Sequence, residues 1–495
     1  MARFLPAQIR SWTQGELIMT ASNREDSEHF YRGISTDTRS IRKGELFVAL
    51  KGENFDGHDF VFKAMDKGAA ALLIEEDSAV AKDLSARHAA GEDLPDLILV
   101  KDCLEAYGNL ACGYRKTLLA SVIAITGSVG KTTTRRMVSE VIADQVCTHE
   151  TLSNQNNAVG VPLTLLNADD DDDVIVAELG MDRVGEIKTL SDISKPDIAI
   201  LTSIAYSHAK YLGSLENILR EKTQITHGMK SNGLVIINGQ DKLLREWAKT
   251  EKEKISIWSV SAEKPQPDER DNSAHFWAED VQLSGDKTSF IAKTDMDESI
   301  ALRVTVPAPG RYLVRTALFA LASAYALGLD MEKAAKSCAH FKNTGQRQKI
   351  VAYRDFTVID DSYNASRESI VTALETMQLI AKPLQRKIAC LGGIRELGEY
   401  TEKVHRSLAE AIRDYGVDAL YLVGEEMKYL QAALAESASI GKVKLYKSSA
   451  DLSHELLEEL QSGDLVLLKG SRYYEMEKIH EALVKNAASS QDRGR

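Results

Sequence analysis

Cysteine is scarce in this 495-residue chain. The five present (Cys103, Cys112, Cys147, Cys338 and Cys390) are scattered and odd in number, and none forms a C-x-x-C pair. That argues against a disulfide framework and leads to the expectation of reduced, buried thiols in a cytoplasmic protein. Long apolar runs are missing too. No stretch approaches the roughly 18 residues that a membrane helix needs, so no membrane span is expected. The opening "MARFLPAQIRSWTQGEL" has no long apolar segment, and no secretory signal is expected. Positive charge is not in excess: 61 Lys and Arg against 73 Asp and Glu leave a formal net charge of -12. A protein that coats nucleic acid carries the opposite balance, so no nucleic-acid partner is expected. No repeat of fixed period occurs, which removes the solenoid classes.

What is present is an ordinary globular balance, 44% hydrophobic and 27% charged. The length suggests about three domains, each able to bury a core. Short apolar runs alternate with helical patterns almost throughout. "ELFVAL" and "AALLIEE" bracket the helical "HDFVFKAMDKGA". "VIVAEL", "DIAILTSI" and "GLVIING" follow in the middle, then "KIACLGG", "ALYLVG", "VKLY" and "DLVLLKG". Alternation of this kind predicts an α/β protein with mainly parallel sheets. Boundaries are expected near 115–120 and near 340–346, giving domains 1–117, 118–343 and 344–495. The polar stretch 262–275 reads as a surface excursion, and the acidic run Asp169–Asp173 as a solvated loop.

The most specific local signal is "ITGSVGKTTT" at 125–134. It follows a β-branched run and opens an amphipathic pattern, the strand-to-helix setting of a phosphate-binding loop. Gly127 and Gly130 let the backbone approach an anion, and the first amides of the following helix point at it. Lys131 supplies a mobile positive charge and Thr132 a hydroxyl for Mg²⁺. Ser128 and Thr133 complete the nucleotide-contacting set. Downstream, "TLSNQNNAVGVPLTLL" packs three amides, Asn154, Asn156 and Asn157, into four residues, a density that suits polar ligands or a turn. One apolar run ends in Glu178 and another near His208. A carboxylate and an imidazole at strand C-termini beside such a loop lie where open α/β sheets bind ligands. Taken singly, His208 also fits a surface or capping histidine.

The ordered set "TGSVGKTTT", "NQNNAVGVPLTLL", "AELGMDRVGEI", "SHAKYLGSLENILREKTQI", "IDDSYNAS", "RELGE" and "KGSR" resembles the Mur ligase family over nearly the whole chain. The N-terminal "STDTRSIRKGELFVALKGENFDGHDFVFKAMDKGAAA" resembles that family's UDP-sugar-binding domain. The resemblance implies three domains: a UDP-sugar domain, a central P-loop ATPase domain and a Rossmann-like C-terminal domain that takes the incoming amine. It also implies ATP-dependent amide ligation through an acyl phosphate, in peptidoglycan precursor synthesis, by a monomer. The implied partners are a UDP-linked muropeptide and D-Ala-D-Ala or a related amine. Lys131 is implied at the β/γ-phosphates, Thr132 at one Mg²⁺, and Glu178 and His208 at a second. Lys222 matches the family lysine that is carbamylated by CO₂ and then helps to hold Mg²⁺. Asn154, Asn156 and Asn157 match positions near nucleotide and substrate. Arg347, Asp361, Tyr363 and Asn364 match nucleotide contacts from the C-terminal domain. Asp37, Thr38 and Arg39 match the uridine segment, and Asp56, Gly57 and His58 a nearby turn that also fits a structural role. Lys469, Ser471 and Arg472 fit either a structural turn or the incoming amine.

This chain departs from the family at several places. Val129 stands where Asn is usual. Tyr312, Leu313 and Thr316 replace residues near the adenine, which leaves stacking on Tyr312 as the expected mode. Arg367 replaces a proline, and Ala205 and Ser207 alter a third motif. Two other readings are a divergent paralogue with another substrate pair and a non-catalytic nucleotide-binding partner subunit. The complete set Lys131, Thr132, Glu178, His208 and Lys222 argues against the second.

Overall fold

The structure is a computed structural model that describes residues 3–20, 23, 28–266, 274–343, 345–436 and 440–492. Residues 267–273 of the polar stretch, and Thr344 beside the second expected boundary, lie outside the described residues. Among the described residues the strands form three sheets, of five, nine and six strands, in chain order. No described helix is long and apolar enough to cross a membrane.

The central sheet positions the cleft. Its P-loop strand, Ser121–Thr126, lies between Val174–Glu178 and Ile198–Leu201 and runs parallel to both. Alternate residues serve two cores. Val122 and Ala124 face one; Ile123 and Ile125 face the other, with helices Lys131–Ala143 and Tyr312–Ala326. A strand covered on both faces reads as a continuous apolar run, which is why "SVIAIT" carries no alternation. The register pairs Ile125 with Glu178 and Ile200, so strand ends and the loops that follow them gather at one edge.

The expected mainly parallel sheets are present, with antiparallel edges added. Strands Ala274–Leu283, Thr288–Thr294 and Ala301–Val306 extend the central sheet as an antiparallel meander. Lys349–Ala352 borders the C-terminal sheet and Glu16–Ile18 the N-terminal one in the same way. Ala301–Val306 alternates between buried and less buried residues, as a strand with one wet face does.

The first expected boundary falls between elements, yet the core crosses it. Helix Cys103–Arg115 ends the N-terminal unit but packs on helices Gly160–Leu166 and Glu186–Ser194 of the central unit. Arg115 seals the join. Its buried guanidinium donates to Ser194 O at 3.1 Å and to Asp197 Oδ2 at 2.7 Å, and Asp197 Oδ2 also accepts from Val122 N. Burial lowers the Arg115 pKa, and Asp197 opposes that shift. Loss of the guanidinium leaves the carbonyls of Ser194 and Leu118 without it in the join, while Asp197 keeps Lys230 Nζ at 2.5 Å and Val122 N. Arg115→Met is therefore expected to lower unfolding stability by about 2 kcal/mol. Urea unfolding checks this; a midpoint equal to the wild type would contradict the docking role.

Candidate active cleft

Gly127 shows why the loop needs glycine. Its φ is +150°, and a Cβ there would lie 1.9 Å from Thr202 Oγ1. Gly130, at φ +89°, caps helix Lys131–Ala143 in the left-handed region. The segment after Ile198–Leu201 braces the loop. Ser128 N donates to Ser203 O at 2.8 Å, Val129 N to Ser203 Oγ at 3.0 Å, and Thr202 Oγ1 to Val129 O at 2.6 Å. Val129 works through its backbone, so a side chain other than Asn costs this geometry nothing. Lys131 Nζ folds back on Gly127 O at 2.7 Å. Burial lowers its pKa, against the pull of Glu178.

Glu178, only 2% exposed, sits at the end of its strand facing the loop. Its Oε1 accepts from Thr132 Oγ1 at 3.1 Å and from Asn156 Nδ2 at 2.9 Å. Its Oε2 has no hydrogen bond, although Arg135 Nε lies 3.4 Å away. His208 is held at φ +55°, an unusual backbone for a non-glycine residue. Its Nδ1 lies 2.6 Å from Glu396 Oε2 and 3.4 Å from Asp182 Oδ1, yet aligns with neither for a hydrogen bond. Burial lowers the His208 pKa, and Glu396 and Asp182 resist that.

These orphaned atoms fit a divalent cation. Among the described residues no three His, Cys, Asp or Glu side chains are gathered as a ready-made cage. That suits Mg²⁺, which keeps several waters and binds through one or two carboxylates and phosphate oxygens.

Lys222 is 1% exposed, on helix Leu215–Thr223. Burial holds its pKa well below the ordinary lysine range, and the Lys131 charge adds to the shift. A neutral buried amine is the form that reacts with CO₂.

The wider cleft, about 870 Å³, is lined by the loop, by Asn154, Asn156 and Asn157, and by Glu178 and His208. Tyr312 lines it as well, with Arg347, Asp361, Tyr363, Asn364 and Lys469 from the C-terminal unit. Arg347 lies over the Tyr363 ring at 4.2 Å. Asp361 Oδ2 accepts from Lys469 Nζ at 2.7 Å, and Lys469 also donates to Asn364 O. Lys469 thus fastens the loop that carries Tyr363 and Asn364. Burial raises the Asp361 pKa, while the Lys469 ammonium opposes the rise. A second cavity, about 760 Å³, lies between the N-terminal and central units. Asp37 lines it, and Asn154 and Asn157 line both cavities.

Other sequence-selected residues line neither cavity. Arg39 is exposed and pairs with Asp37 at 2.7 Å, and Thr38 is buried beside it. Asp56 bonds His58 N at 2.9 Å and His58 Nδ1 at 2.6 Å, while His58 Nε2 accepts from Glu75 N. That turn locks structure, and Gly57 is required because a Cβ would meet Leu50 O at 2.6 Å. Ser471 N donates to Gly393 O, and Arg472 pairs with Glu477 at 2.7 Å. The cleft also exposes residues that sequence reasoning missed. Arg315 and Phe319 line it from helix Tyr312–Ala326, where helical spacing from Tyr312 would have found them. Glu368 contributes an unpaired buried Oε2. Glu396 reaches His208 from "RELGE", a contact that only the fold reveals.

A strand-to-helix loop of phosphate-binding form and a buried acidic edge face a cleft lined by two α/β units, with Lys222 buried in the central unit behind it. The model "Mur ligase family, catalytic domain" matches residues 30–115, "Mur ligase middle domain" 125–324, and "Mur ligase, glutamate ligase domain" 346–472. The chain belongs to the Mur ligase family. It is 32% identical to the UDP-N-acetylmuramoyl-tripeptide–D-alanyl-D-alanine ligase of Bacillus subtilis, across 95% of this chain and 97% of that protein. The ligase of the same name from Escherichia coli is 31% identical, with 92% and 94% covered. A crystal structure of MurF from Acinetobacter baumannii superposes with a TM-score of 0.82 at 26% identity, covering 98% of this chain and 99% of that one.

The lowered Lys222 pKa makes stability depend on pH. The unfolded chain holds this proton up to about pH 10.4, whereas the folded protein releases it at lower pH. Between those values the unfolded state binds more protons, so stability rises with pH there and is lost as pH falls through the folded pKa. Lys222→Met removes the titration. In CO₂-depleted buffer, the wild-type stability relative to Lys222→Met should climb with alkalinity through that window. Urea unfolding across a pH series reads it, and a flat difference would contradict the buried neutral amine.

Proposed function

We propose that this chain joins D-Ala-D-Ala to the terminal carboxylate of a UDP-N-acetylmuramoyl-tripeptide, converting ATP to ADP and phosphate, in the cytoplasmic stage of peptidoglycan precursor synthesis. The observation that carries the reading is the meeting of the two cavities at Asn154 and Asn157, with Glu178 beside them. The names of the two curated relatives supply the substrate pair. Residues 1–117 hold the UDP-sugar, residues 118–343 the triphosphate, and residues 344–495 the amine.

The substrate carboxylate attacks the γ-phosphorus and ADP leaves. The amine then attacks the acyl carbon, phosphate departs, and an amide bond remains. Little covalent work falls to the protein, so positioning and electrostatics dominate. Loop amides and Lys131 hold the β- and γ-phosphates. Asn154 and Asn157 orient the carboxylate arriving from the second cavity. Arg347, Tyr363 and Asn364 close over the nucleotide, and Lys469 keeps their loop in place. When bound, one Mg²⁺ would be held by Thr132 and a second by Glu178, His208 and a carbamylated Lys222, and the ions would supply neutralisation of phosphoryl charge. The carbamate reading rests on the burial of Lys222 and its lowered pKa.

ADP release with UDP-MurNAc-tripeptide and D-Ala-D-Ala tests the reading. Lys131→Ala should reduce turnover by about 10²–10³-fold while the fold persists, the scale of losing one well-placed charge-stabilising donor. Undiminished turnover would remove the loop assignment. Release from the wild type only with a different substrate pair would overturn the substrate assignment.

A further inference from the structure

The far wall of the main cleft carries a donor that the protein itself does not use. On helix Tyr312–Ala326, residues Tyr312, Arg315, Thr316 and Phe319 stand at i, i+3, i+4 and i+7, share one face and line the cleft. One of them has its polar atom occupied: Thr316 Oγ1 donates to Tyr312 O at 3.0 Å. Arg315 has no hydrogen bond or ion pair among the described residues. Its one charged influence is Asp241, whose oxygens already accept from the N–H groups of Ile204, Leu243 and Leu244. The guanidinium therefore presents unsatisfied N–H donors to a cleft, with no acceptor of its own.

The sheet locates those donors relative to the phosphates. Asp241 follows strand Leu234–Asn238, which is two strands from the P-loop strand, with Ile198–Leu201 between them. At about 4.8 Å per strand the lateral offset is about 10 Å. That is one nucleoside beyond the phosphates, on the opposite side from Glu178. The wall there carries the half-buried ring of Tyr312, an aromatic face suited to a purine, with Phe319 packed in the core beneath it and the side chains of Asn238 and Gln240 at the rim. Asn238 Oδ1 and Gln240 Oε1 already accept from Gln240 N and Ala262 N, so neither amide oxygen is set aside to single out the N6 donor of adenine. Arg315 does choose. A 6-oxopurine offers two adjacent acceptors, N7 and O6, which match a guanidinium fork; adenine offers N7 beside an N6 donor.

We propose that Arg315 reads the purine base of the nucleotide, and that the cleft accepts a 6-oxopurine nucleoside triphosphate as a second phosphoryl donor. The transfer is unchanged in its balance. A carboxylate oxygen forms the new bond to the γ-phosphorus, the bond from that phosphorus to the bridging oxygen breaks, and its electron pair leaves with the nucleoside diphosphate. The turnover part of the proposal rests on the ligase reading; the binding part does not.

Two measurements test it. Equilibrium binding of ADP and IDP to the wild type, Arg315→Lys and Arg315→Met reads the base without any amide being formed. Ligase turnover with ATP and ITP reads the donor role. The wild type should bind IDP within about tenfold of ADP, and Arg315→Met should weaken IDP by about tenfold more than ADP, the scale of a bidentate base contact. In turnover the same preference should appear in KM for ITP. Equal weakening of both nucleotides would place Arg315 on the ribose or phosphates and overturn the proposal. So would wild-type rejection of IDP by more than about 10³-fold, a result that needs no variant to fold. Absence of all turnover with the muropeptide pair would count against the ligase reading, and the ADP-to-IDP ratio would still decide the role of Arg315.

Discussion

Glu178 is a carboxylate buried at the edge of a parallel sheet, and a buried carboxylate has to be compensated. One oxygen is met by Thr132 and Asn156; the other is left open beside Arg135. Arg135 is itself fastened to Glu150 and the Thr151 carbonyl, so it cannot swing to close the gap. The polypeptide thus holds a carboxylate oxygen without a hydrogen bond next to a loop whose Ser128 and Val129 amides are braced by Ser203. Lys131 and Lys222 share the same low-dielectric region, and each shifts away from its charged form. An arrangement of this kind is poor for a resting protein and well matched to a triphosphate with its cation, which supplies the missing charges of both signs.

The C-terminal unit couples to this edge at two levels. Tyr206 and Tyr400 pack at 4.5 Å with Lys403 over the Tyr206 ring, and Lys210 N donates to Glu396 O at 2.8 Å. Those contacts place Glu396 against His208. On the nucleotide side, the buried Lys469–Asp361 pair holds the loop bearing Tyr363 and Asn364, while Arg347 stacks over Tyr363. Residues drawn from two units line the cleft together, so under the proposed ligation both must be in place, which would tie nucleotide use to a filled site.

Much of the site was legible in the sequence because its logic is local. A glycine-spaced turn between an apolar strand and an amphipathic helix has few physical uses, and Glu178 follows from a strand end beside it, whereas Lys222 was pointed to only by the family resemblance. What escaped depends on distant chain segments. Nothing near "RELGE" states that Glu396 meets His208, and nothing near Asn238 states that it lines the same cleft as Arg315. The helix Cys103–Arg115 belongs to one unit by chain order and to another by packing, a distinction that no boundary signal encodes. The antiparallel meander was missed because its strands follow directly on a polar excursion that reads as loop. Lys469 and the Asp56–His58 turn were ambiguous as sequence. Burial and hydrogen bonding give the first a bracing role at the nucleotide loop and the second a structural lock.

The central claim is that one cleft activates a substrate carboxylate by phosphorylation before an amine takes its place. Labelling that carboxylate with ¹⁸O tests this most directly. Mass analysis of the phosphate released with each amide bond should find one ¹⁸O atom, carried over when the carboxylate oxygen bonds to the γ-phosphorus. Phosphate free of label, with amide still formed, would contradict the acyl-phosphate account.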